Sequence, residues 1–124
     1  MLFYYWGPSW LLGAYDLVKL EEPAFDAAIW AELKASDAPG RATAYPTSRV
    51  VIGANIDFEK QAPQLATFFR KYGMTSELTS RMLAEAREKG LTPEQQALVF
   101  LKTQAAAWRD WVPADIAAKV TAGL

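Results

Sequence analysis

Apolar residues recur along this chain with two different periods. Residues 2–6 ("LFYYW") form a short, aromatic-rich run that ends at Gly7 and Pro8, the pattern of a strand followed by a turn. A second short run, 16–20 ("DLVKL"), reads as another strand. Pro23 then opens a predicted helix in which Phe25, Ile29 and Leu33 recur every four residues, with Trp30 alongside. Residues 36–48 ("SDAPGRATAYPTS") are turn-forming and make the longest irregular stretch. Residues 49–55 ("RVVIGAN") hold an apolar run between polar ends, which predicts a buried strand.

Beyond this point the spacing becomes helical. Leu65, Phe68, Phe69 and Tyr72 fall at i, i+3, i+4 and i+7, and Gly73 is a natural stop. Leu78, Met82 and Leu83 mark the next helix, ended by Gly90, with Glu77, Arg81, Glu85 and Lys89 spaced by four along a solvated face. Thr92, Pro93 and Gln95 form the strongest local signal: an N-cap hydroxyl, proline in the first turn, and glutamine at the reciprocal capping position. Leu98, Leu101, Ala105 and Trp108 extend that helix on one stripe, and Pro113 separates it from a last helix around Ile116 and Val120. The expected fold is therefore α/β, with a few short strands in the first half and about four helices in the second. Three short strands make a thin sheet for so many amphipathic faces, so part of the apolar surface is expected to meet a partner.

Composition narrows the chemistry. At 124 residues and 52% apolar, the chain can bury a core without covalent staples. Thirteen basic residues against 14 acidic ones leave a net charge of -1 and no basic stripe, which argues against a nucleic-acid partner. Cysteine and histidine are absent, removing the thiolate nucleophile, the imidazole base and any Cys/His zinc site. Glu21 and Glu22 would point apart on a strand, and the glycines form no phosphate-cradling motif. No catalytic residue, metal or cofactor is expected. The apolar start has no basic leader region and is broken by Gly7 and Pro8, so it reads as folded structure and not as a signal peptide or membrane span. Its abruptness suggests that a longer protein continues upstream.

The aromatic run is the remaining candidate. A cation over a tryptophan or tyrosine face gains about 0.5–2 kcal/mol, and a quaternary ammonium, which donates no strong hydrogen bond, is naturally held by several such faces. Alternation along a strand would put Tyr4, but not Tyr5, on the same side as Trp6.

The segment "FYYWGPSWLLGAYDLVKLEEP" resembles the aromatic W-x-P-x-W segment of the OpuAC-like substrate-binding proteins of glycine betaine and proline betaine ABC importers. The likeness runs on through "AYPTSRVVIGANIDFEKQAP" and "LTPEQQALVFLK" to "WRDWVP". It spans the whole chain but only the C-terminal part of a family member, so residues 1–124 would be one segment of a two-lobed protein whose upstream lobe portions are absent. The resemblance implies a receptor that holds a quaternary ammonium osmolyte in an aromatic cation–π cage and delivers it to a membrane ABC permease. It also implies a periplasmic or extracellular, membrane-associated location for the parent.

Within it, Trp6 matches the cage tryptophan, Tyr4 and Tyr5 neighbour it, and Trp10 matches the second tryptophan, packing beneath the site. Ser9 stands where many relatives carry a histidine that helps to bind the ligand carboxylate. With the other cage walls upstream, the chain alone is expected to bind betaine weakly or not at all. Trp30, Trp108 and Trp111 are expected in the core or on the lobe surface, and Tyr45 in a loop near the interlobe region. A second reading, from another class, is a free-standing α/β interaction module that pairs its aromatic strand with a partner or, as a homodimer, with itself.

Overall fold

The structure, a computed structural model, describes residues 2–38 and 40–124. Met1 and Pro39, the latter within the irregular stretch expected at 36–48, lie outside the described residues. The helices are α1 (Trp10–Ala14), α2 (Ala27–Ala35), α3 (Phe58–Gln61), α4 (Pro63–Lys71) and α5 (Ser76–Lys89). They continue with α6 (Pro93–Thr103), α7 (Ala105–Trp108), a 3-10 turn at Arg109–Trp111, and α8 (Ala114–Ala122).

No strand forms among the described residues, which corrects the expected α/β class. Residues 2–6, 16–20 and 49–55 are strand-like in composition but join no ladder. A strand exists only where a neighbour takes up its rows of N–H and C=O groups, and a two-residue period cannot supply that neighbour. Their side chains accordingly face solvent, with Val50 97% and Val18 86% exposed. The self-associating module of the second reading loses the aromatic strand on which it depended.

Two compact units make up the chain: one formed by residues to Leu17 together with Ala54–Leu124, the other by Val18–Gly53. In the smaller unit α2 begins at Ala27, four residues later than Pro23 suggested. The Asp26 carboxylate accepts from the Ala28 and Ile29 N–H groups at 2.8 and 3.0 Å, so this residue, not the proline, sets the start. Thr43 ties down the approach to α2: its hydroxyl accepts from the Asp26 N–H and donates to the Ala24 carbonyl. Trp30 packs edge-on against Tyr45, 5.2 Å between ring centres, and Arg41 pairs with Glu32.

The larger unit follows its local signals closely. Pro63 occupies the first turn of α4. The Thr75 hydroxyl caps α5, and Gly90 ends it in the left-handed region at φ 63°, where a side chain would be strained. Both arms of the capping box form, Thr92 N–H to the Gln95 side chain and Gln95 N–H to the Thr92 hydroxyl.

The stripe expected to run from Leu98 to Trp108 does not hold. The backbone turns at Gln104 (φ -114°, ψ 39°), dividing α6 from α7. Within α6, Leu98 faces solvent while Gln96 and Phe100 are buried. The core gathers Phe100, Trp108 and Ala117, with Leu78, Met82, Leu101, Trp111 and Val120 packed on them. The Trp108 indole N–H donates to the Leu101 carbonyl at 2.9 Å, and Trp111 stacks on Phe100. Among the described residues, no helix is long and apolar enough to cross a membrane.

Candidate ligand-binding site

Residues 2–8 run as irregular chain into α1, and their rings sort by alternate positions. Tyr4 meets Trp6 edge-to-face, with centres 5.8 Å apart and planes at 81°. Phe3 meets Tyr5 in the same manner at 6.3 Å and 80°. Such edge-to-face pairs hold two rings at right angles, the edge of one meeting the face of the other. Trp6 and Tyr4 are 63% and 58% exposed, so both rings are accessible from solvent. The four residues singled out in the sequence are thus not one constellation. Tyr4 stands with Trp6, Tyr5 with Phe3, and Ser9 lies half-buried past the cis Gly7–Pro8 bond.

Ser9 has a local task that a reading of the aromatic run alone misses. Its side-chain oxygen accepts from the Leu12 N–H at 3.4 Å and so caps α1. Its own N–H donates to the hydroxyl of Ser80, a buried residue of α5, at 3.2 Å. A serine just before the apolar "WLLGA" is an N-cap signature, and it was the available signal for α1.

Three residues that bring α1 and α5 together left only faint traces in the sequence. A Cβ at Gly13 would lie 2.1 Å from the Ser80 carbonyl oxygen, so only glycine lets α1 approach α5 this closely. The Arg87 guanidinium sits 3.9 Å from the centre of the Trp10 ring, a cation–π contact within the chain. Trp10 also leans on Tyr15 at 6.3 Å. An open groove of about 620 Å³ lies alongside, lined by Trp10, Tyr15, Ala84 and the charged residues Arg81, Glu85 and Glu88. Lys89, and after it Gln96, donate to the Glu85 carboxylate and hold it below the usual carboxylate range, while Glu85 raises Lys89. An isolated glycine within an apolar helical run does hint at close packing, but nothing local pairs Trp10 with a residue so distant in sequence.

Trp108 and Trp111 belong to the core, and Tyr45 packs on Trp30 within the smaller unit. Among the described residues, no cluster of acidic side chains could hold a metal ion. The arrangement offers aromatic surface for a cation and hydroxyl donors for an anion.

Comparison with known proteins adds one finding. The family model OpuAC, the substrate binding domain of ABC-type glycine betaine transport systems, matches residues 1–103 and stops short of the "WRDWVP" stretch. No curated protein and no solved structure matches the chain.

Proposed function

This chain belongs to the substrate-binding domains of ABC-type glycine betaine transport systems, and from that premise we propose that Trp6 and Tyr4 form one wall of a cage for a quaternary ammonium group. The family is one of transport binding proteins, so the task is capture of a small molecule and delivery to an ABC permease, without catalysis. The observation that carries the assignment is the right-angled Tyr4–Trp6 pair. Two rings at 81° present a corner into which a trimethylammonium fits, gaining cation–π attraction and apolar contact together. Tyr5 turns with Phe3 and takes no ligand contact in this reading. The Ser9 hydroxyl accepts from Leu12, which leaves its proton to be donated to a ligand carboxylate.

Residues 1–124 supply one part of the cage. The ligand acts by favouring a closed state in which further walls meet it, and that state is the one the permease receives. Capture of an osmolyte for import sets the work of the full-length protein outside the cytoplasmic membrane.

The decisive measurement is calorimetry of glycine betaine, proline betaine and choline on the full-length protein. Micromolar or tighter binding of at least one is expected. Trp6→Ala should cost about 2 kcal/mol, roughly a 30-fold loss of affinity. Millimolar or absent binding of all three by the unmodified protein would overturn the transport reading. Unchanged affinity in Trp6→Ala would remove Trp6 from the cage.

A further inference from the structure

Residues 2–8 join no ladder and run directly into α1, so what holds α1 bears on their placement. That is α1, a single turn and a half of helix. Five residues are far too few to remain helical in water alone, since isolated helices shorter than about 12–15 residues are marginal. The existence of α1 therefore depends on its docking.

The docking face is written on α5. Ser80, Ala84 and Arg87 fall at i, i+4 and i+7 and so share one side of that helix. Two are small and the third is a long cation. Ser80 lets the Gly13 backbone come to its carbonyl and takes the Ser9 N–H on its buried hydroxyl. Ser9 and Gly13 are themselves i and i+4, so both ends of α1 rest on the same α5 residue. Arg87 then lies across the Trp10 ring at 3.9 Å. The contacts differ in kind: a backbone fit, a hydrogen bond and a cation–π pair.

We infer that Ser80 and Arg87 are positioning residues for ligand capture, holding α1 and through it the corner made by Tyr4 and Trp6, which ends only three residues before Ser9. The inference rests on the ligand-binding reading above and assigns these two side chains no contact with ligand. Arg87 fills the face of Trp10 with a cation from the chain itself, so Trp10 serves to anchor the segment while Trp6 meets the osmolyte. Affinity then depends on how far the corner is held in place before the ligand arrives, because ordering it during binding subtracts from the affinity.

The test uses the full-length protein with Ser80→Ala, Arg87→Gln and the conservative Arg87→Lys. Amide hydrogen exchange reads the anchoring without any ligand. Residues 10–15 should exchange at least about tenfold faster in Ser80→Ala and Arg87→Gln, with α6 and α8 unaltered, and Arg87→Lys should recover much of the protection. Glycine betaine affinity should fall roughly three- to tenfold in the first two variants and return towards normal in Arg87→Lys. Unaltered exchange at 10–15 would overturn the anchoring, whether or not the protein binds betaine. Faster exchange with undiminished affinity would overturn its role in capture. Failure of the unmodified protein to bind any betaine would strike the ligand reading instead, a result distinct from both.

Discussion

An alanine at position 13 would put a methyl carbon 2.1 Å from the Ser80 carbonyl oxygen, a separation that real side chains essentially never show. Backbone lines both sides of that contact, so no flexible side chain can give way and α1 must move off α5. Gly13→Ala is therefore expected to destabilise by about 1–3 kcal/mol. The urea midpoint checks it, with Gly53→Ala, where nothing lies within 4 Å of the added carbon, as the comparison. Asp26 shows a second single-residue effect, this one dependent on pH. The Ile29 N–H, then the Ala28 N–H, hold its carboxyl below the ordinary aspartate range. A depressed folded-state value means that the ionised form is favoured by folding. The cap's contribution is thus complete above roughly pH 3.9, the unfolded value, and is lost as pH falls through the lower folded value. Carboxyl carbon NMR across an acid titration should show Asp26 titrating late, with the α2 amides shifting in step.

At the scale of elements, the signals that worked were those whose cause lies within four or five residues. Thr92 and Gln95 satisfy each other's backbone donors, and Gly90 alone tolerates the turn that ends α5. Thr92→Ala removes one arm of that box and should cost about 1 kcal/mol, seen as a lower urea midpoint at an unchanged slope. The elements that went astray depend on distant partners. The run "RVVIGAN" has the residues of a strand, yet composition cannot say whether another segment will pair with it. The bend at Gln104 likewise has no proline or glycine to announce it, and it interrupts the single helix expected to carry Leu98 and Trp108. In the candidate site, the pairing of Tyr4 with Trp6 coincides with the alternation expected of a strand, although residues 2–6 join no ladder. The support from Ser80 and Arg87 was not legible, because helix docking joins residues some 70 positions apart.

On the scale of the whole molecule, burial is concentrated in the larger unit around Phe100, Trp108 and Ala117. Trp108 is 3% exposed and its indole N–H is satisfied by Leu101, so truncation leaves both a void and an unpaired carbonyl. Trp108→Ala is expected to cost about 3–5 kcal/mol, a large share of a domain's total stability, and denaturant unfolding measures it directly. This residue lies beyond the family match, which ends at 103, so the core under the matched helices is completed by the segment that follows. The spread in tryptophan burial also has an optical consequence. Trp6 is 63% exposed while Trp108 is sealed from water, so the first emits at the red edge of the fluorescence band and the second at the blue edge. Capture of an osmolyte at the Tyr4–Trp6 corner should alter the red edge alone, and unfolding should shift the blue edge. One cuvette can then follow occupancy and integrity as separate signals in the unlabelled protein.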